Sequence, residues 1–181
     1  MAAPPLPVCS AAPVSAETRL AYVLHHFRQA YETVPTVTIG YAGQQPRVAI
    51  AERAGDFFAR QQPYPAAPTR REWRGRQIPV FFDADPQHLL LELLPDGRAV
   101  VNADLISAAF YLLSGWQEYF SAERDWHGRF PYAASVQHRY DFVAVPVVNY
   151  YFDMLRTAVE HATGQPLRPR RWAGGAPFAT F

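Results

Sequence analysis

The stretch NADLISAAFYLLSGWQEYFS, Asn102 to Ser121, decides the fold class. Asn102 is a good helix N-cap, because its short amide accepts hydrogen bonds from free N–H groups of a first turn. The spacing predicts one helix over 103–121. Leu105, Ile106, Ala109, Phe110, Leu112, Leu113, Trp116 and Phe120 make it apolar on much of its circumference. A helix wetted on so little of its surface sits centrally in a core.

Upstream of it the pattern turns to strands. His88–Leu94 and Arg98–Val101 flank Pro95-Asp96-Gly97, which reads as a hairpin. Ile78–Phe82 is a compact apolar run ended by Asp83-Ala84-Asp85-Pro86, a buried strand. Pro63, Pro65 and Pro68 mark 61–75 as a surface loop. Thr36–Tyr41 and Arg47–Ala51 read as two strands, and the turn residues between them suggest a second hairpin. Ser15 caps a helix over 16–32 whose stripe is Leu20, Val23, Leu24, Phe27 and Tyr31. Downstream, Pro146 opens a third helix with Val147, Val148, Tyr151, Phe152, Leu155 and Val159 on one stripe, stopped by Gly164 and Pro166. Strands come early and the two longest helices late. The expected class is α+β, a small mixed or antiparallel sheet packed against two or three long helices. Residues 1–15 read as a disordered arm and 16–168 as a single domain.

The composition sets further bounds. Of 181 residues, 49% are hydrophobic and 18% charged, a globular balance. A net charge of +1 gives no electrostatic case for nucleic acid or an anionic membrane. All 17 basic residues are arginine, which excludes Schiff-base, P-loop and Ser-Lys chemistry. Cys9 is the single cysteine, so an internal disulfide and any multi-cysteine metal site are excluded. Pro4, Pro5, Pro7 and Pro13 break any signal-peptide core, and no apolar run is long enough to span a bilayer. The expected location is cytoplasmic.

Glu118, Asp125, His127 and Arg129 lie close in sequence and combine a carboxylate pair, a base and an anion clamp. Two readings stay open. One is an independent hydrolase using Asp125, His127 and Glu118. The other is a polar network pinning an irregular loop, with Asp125 accepting loop N–H groups, Arg129 reaching Glu118 and Gly128 in a turn. Arg129 with the terminal Arg168, Arg170 and Arg171 also permits an anionic-glycan binding module. Trp73, Trp116, Trp126 and Trp172 permit sugar stacking as well as core or interface roles. Asp83 and Asp85 have no histidine partner in this reading and count as turn residues. His25, His26 and His161 read as helix-surface residues, and His88 and His138 lack metal spacing.

Phe110-Tyr111-Leu112-Leu113-Ser114, Glu118-Tyr119, Asp125-x-His127-Gly128-Arg129-Phe130-Pro131 and Ser135 through Pro146-Val147-Val148-Asn149 form a more specific pattern. With Ile78-Pro79-Val80-Phe81-Phe82, it resembles the uncharacterised N-terminal domain found ahead of bacterial polysaccharide deacetylase domains. Where that family has Ser-Arg-Tyr-Glu-Glu-Tyr, this chain has Ser114-Gly115-Trp116-Gln117-Glu118-Tyr119. The resemblance implies a non-catalytic accessory domain of a carbohydrate esterase, packing on a C-terminal deacetylase domain that itself acts on polysaccharide. It implies that 169–181 are a linker and the first strand of that domain, Phe178–Phe181. It places a divalent metal only in the deacetylase domain, so no cofactor, no metal and no deacetylase activity are expected of these residues.

Overall fold

The computed structural model describes residues 14–83 and 85–170. The expectations for an arm before residue 14, for Cys9, Arg171 and Trp172, and for a strand at Phe178–Phe181 lie outside the described residues. The architecture is α+β: the described residues form one mixed four-stranded sheet, one two-stranded sheet and five α-helices.

Helix α1, Ala16–Gln29, begins where Ser15 accepts the amide of Thr18. It ends three residues short of the expected 32. Val23 and Phe27 are fully buried, and Leu24 and Tyr31 nearly so. Strands β1 (Ile39–Tyr41) and β2 (Val48–Ile50) form, but they pair in parallel, with Ile39 opposite Val48. The expected hairpin is therefore corrected. Each strand has only three residues, so the return path is about 10 Å at 3.3 Å per residue. The six-residue connection 42–47, with its 3-10 turn Ala42–Gln44 and Gln45 in the left-handed region, is long enough to cover it.

The proline-rich 61–75 stretch is likewise only partly a loop. Its second half is strand β3, Thr69–Trp73, antiparallel to β4, Arg76–Val80. Arg74 and Gly75 both take positive φ at the turn, the geometry of a tight two-residue hairpin connection. The prolines stop before Thr69, so they signalled only the approach to the strand. The hairpin of β5 (Leu91–Leu93) and β6 (Ala99–Val101) forms around Pro95-Asp96-Gly97 as read. β6 also runs parallel to β2, which gives the order β1-β2-β6-β5.

The central helix departs most from expectation. α2 spans Leu105–Leu113, and its N-cap is Asp104. Asn102 instead donates its amide to Leu89 O and Glu92. After Ser114 the chain enters the left-handed region at Gly115, φ 68°, and a separate helix α3 runs over Trp116–Phe120. The break lets Trp116 turn in, giving its indole N–H to Gln62 O at 2.9 Å and packing beside Phe58 and Phe120. A 3-10 turn at Tyr132–Ala134 and the short α4, Val136–Arg139, lead to α5, Val147–Thr163. Gly164 caps α5 at φ 67°. The two longest helices are thus the first and last, not two late ones.

α5 packs on β6, β5, β2 and β4, and α2 packs between α1 and α5. Val48, Ile50, Ala99 and Val101 form the buried face of the main sheet, with Met154, Leu155, Ala158 and Val159 in the same core. The buried Tyr151 hydroxyl donates to Pro79 O at 2.8 Å, tying α5 to β4. Burial pushes its pKa up, so it stays a neutral donor.

Residues 165–170, beyond α5, remain part of this body. Leu167 is buried and its amide donates to Glu160. Pro169 bridges Tyr31, Glu32 N–H donates to Arg168 O, and Arg170 N–H donates to Ala30 O. Removing 165–181 is expected to cost about 2–3 kcal/mol, the loss of one buried leucine and its paired backbone. Removing 171–181 should leave the melting curve in place. Urea titration of the two truncations checks this, and equal stability would place the domain end before Leu167.

Candidate functional site

The segment from α3 to α5 carries the residues singled out by sequence. Asp125 organises a tight loop. Its Oδ1 accepts the amides of His127 and Arg129, both at 2.9 Å, and its Oδ2 pairs with the Arg129 guanidinium at 3.0 Å. The backbone closes the same turn, with Asp125 N–H donating to Arg129 O and Gly128 N–H to Asp125 O. Gly128 supplies the positive φ, 78°. Asp125 is thus an acceptor of loop N–H groups. Arg129 does not reach Glu118; it turns back on Asp125. Arg124 is the arginine at the helix, donating to Glu118 O at 3.2 Å.

The Arg129 amide and then its guanidinium hold the Asp125 carboxyl below the usual aspartate range. A depressed carboxyl pKa stabilises the loop at pH values above the unfolded aspartate pKa. That contribution is lost as pH falls through the lower, folded value. Two-dimensional carboxyl NMR should therefore find Asp125 among the most acidic aspartates. Protection of the Arg129 amide from exchange should fall with the same titration. A normal Asp125 titration, or protection indifferent to it, would overturn this account.

The loop presents Trp126 and His127 outward. Trp126 is 88% exposed and its ring lies 3.3 Å from the His127 ring, centroid to centroid. The imidazole of His127 makes no hydrogen bond to Asp125 or Glu118 among the described residues; only its backbone amide meets Asp125. Glu118 lines a separate cleft of about 440 Å3 with Gln117, Phe130, Tyr132, Ser135 and Gln137. Gln117 forms the floor, its side-chain oxygen accepting Val136 N–H at 2.8 Å and its amide facing Gln137. Around this region Tyr119, Trp126, Tyr132 and Val143 are more than half exposed. The structure thus puts Asp125 and Arg129 together, leaves His127 stacked on tryptophan, and sets Glu118 in the cleft.

Sequence reasoning missed Tyr132, Ser135 and Gln137 as cleft residues. Ser135 caps α4 through His138 N–H, and that Ser-x-x-His step was the available signal. It also left Asp83 and Asp85 without partners. Asp85 Oδ2 lies 2.8 Å from His88 Nδ1, and Asp83 is in a buried pair with Arg71. The partner of Asp83 comes from β3, the strand hidden in the proline-rich stretch. Among the described residues, no three His, Cys, Asp or Glu side chains gather to hold a metal. No helix of the described residues is long and apolar enough to cross a membrane.

No curated protein and no solved structure matches the chain. A family model does match, over residues 14–164, most of the length, and its description carries no activity. The chain belongs to the family of unknown function DUF7033.

Proposed function

We propose that this is a non-catalytic accessory domain of a polysaccharide deacetylase-like protein, and that it docks on the catalytic domain through the surface around Trp126. The observation carrying this is an indole 88% exposed on a loop whose carboxylate is spent on holding the loop's shape. A solvent-facing tryptophan on a loop tied by Asp125, in a region where Tyr119, Tyr132 and Val143 are also exposed, has the character of an interface anchor, and such anchors dominate binding energy. An acid and base poised for hydrolysis need mutual hydrogen-bond reach, and His127 with Asp125 lacks it here.

The test uses this domain as a separate chain and a deacetylase domain from the same polypeptide. Titration followed by tryptophan fluorescence should show binding, and Trp126→Ala should weaken it by about 30-fold, an anchor-sized loss. Trp126→Ala should leave the melting temperature of the isolated domain unchanged. No association, or association indifferent to Trp126, overturns the docking reading. Acetate release from acetylated oligosaccharides by the isolated domain overturns the non-catalytic one.

A further inference from the structure

A second concavity lies on the opposite functional logic, at the ends of strands. β1, β2 and β6 run parallel, so their carboxyl ends share one edge of the sheet. The residues at and after those ends line a crevice of about 460 Å3: Tyr41 at the end of β1 and Ala42 to Gln44 after it, Ala51 to Arg53 after β2, and Asn102 after β6. Glu17, in the first turn of α1, supplies a further wall. In open sheets with parallel strands, ligands bind outside the carboxyl ends, because loops from several strands converge there without crossing.

The crevice is held in shape from beneath. The buried carboxylate of Asp104 accepts Arg53 N–H at 2.9 Å and Ala54 N–H at 3.2 Å, fixing the loop that bears Glu52 and Arg53. The Tyr41 hydroxyl reaches Ala16 O, joining the end of β1 to the start of α1. Both amide hydrogens of Asn102 are committed, to Leu89 O and Glu92, which leaves its carbonyl oxygen as an acceptor. Neither the Glu52 carboxylate nor the Arg53 guanidinium has a hydrogen-bonded or ion-paired partner among the described residues. Glu17's own amide and Ser15 hold its carboxyl below the usual glutamate range, so it is charged near neutral pH.

We propose that this crevice binds a small zwitterion of the α-amino-acid class. Glu17 and Glu52 face the ammonium group, and the Asn102 carbonyl adds a third acceptor for its hydrogens. Arg53 takes the carboxylate, the group its planar fork fits best. The floor is low because Ala42, Gly43, Ala51 and Val100 carry little side chain. No exposed aromatic ring lines it; Tyr41 is 5% exposed, so a stacking ligand such as a sugar ring or nucleobase is poorly served.

Gly43 gives the test a clean variant. A Cβ there meets nothing within 4 Å, and its φ lies outside the region reserved for glycine. Gly43 lines the crevice, so Gly43→Leu adds bulk at its wall without disturbing the backbone. The full chain is titrated with glycine, alanine, glutamate and arginine, with N-acetylglucosamine as the uncharged control, while backbone amides are followed by NMR. Saturable shifts at residues 42–44, 52–53 and 102 are expected for at least one amino acid and not for the sugar. Gly43→Leu and Arg53→Gln should each weaken that binding by tenfold or more, about 1.4 kcal/mol or more, with unchanged melting temperature. Equal response to the sugar, no response to any amino acid at millimolar concentration, or binding unaffected by both variants overturns the proposal.

Discussion

Replacing Asp83 with alanine is expected to remove about 3–5 kcal/mol of folding stability, the loss typical of breaking a buried ion pair from one side. Asp83 and Arg71 have side chains only 3% and 11% exposed. Arg71 Nη1 meets both carboxylate oxygens, at 3.0 and 2.8 Å, and also Asp85 O at 3.1 Å. Its Nη2 donates to His88 O, and the Thr69 hydroxyl donates to Asp83. One guanidinium thus straps the whole link from β4 toward β5 onto β3. Phe82, just before Asp83, sits at φ 51°, which is costly for an aromatic residue and has to be held there by its surroundings. Without the carboxylate, the largely buried Arg71 charge keeps only carbonyl acceptors, Asp85 O and His88 O, and the strained turn loses its anchor. Asp83→Asn keeps an acceptor but no charge, and an intermediate loss is expected. Urea denaturation of both variants checks the order. A loss under about 1 kcal/mol for Asp83→Ala would show the pair to be no better than a surface bridge.

That strap also explains how far the sequence could be read. Period and capping are local, so α1, α5 and the β5–β6 hairpin were legible from Ser15, Pro146, Gly164 and Pro95-Asp96-Gly97. Parallel pairing is not local. β2 lies between β1 and β6, and nothing in 36–51 announces a partner fifty residues away. Turn residues at 42–46 suit a hairpin equally well. β3 was hidden because Thr69-Arg70-Arg71-Glu72-Trp73 has almost no apolar alternation; its side chains work by hydrogen bonds and ion pairs instead. Gly115 inside an apolar helix pattern carries no sign of whether it is tolerated or breaks the helix. The need to bury Trp116 against Phe57 and Phe58 decides it. At the candidate site, the Asp125 loop was legible because an aspartate two to four residues before its amide donors is local geometry. The cleft was not, because Gln117 and Gln137 meet only through packing of α3 on α4.

Replacing Asp104 with alanine is expected to cost a similar amount, about 3–5 kcal/mol, by a different route: three donors lose one acceptor. Asp104 is fully buried. Its Oδ1 takes Ser107 N–H at 2.9 Å, capping α2, while its Oδ2 takes Arg53 and Ala54 N–H. Alanine leaves the buried Ala54 and Ser107 N–H groups and the half-buried Arg53 N–H without a partner, and each orphan costs about 1–3 kcal/mol, reduced where water can enter. The cap loss alone is about 1 kcal/mol. Asparagine separates the two duties. Its oxygen can still cap Ser107, but its NH2 then faces the Arg53 and Ala54 amides, donor against donor. Asp104→Asn is therefore expected to keep exchange protection at Ser107 and lose it at Arg53 and Ala54. Hydrogen exchange read by NMR separates those amides residue by residue. Since the same loop carries Glu52 and Arg53, Asp104→Asn should also weaken amino-acid binding at the strand-end crevice while the protein remains folded. Protection lost at all three amides together would mean that α2 and the loop open as one unit, and that the carboxylate joins two elements which do not move separately.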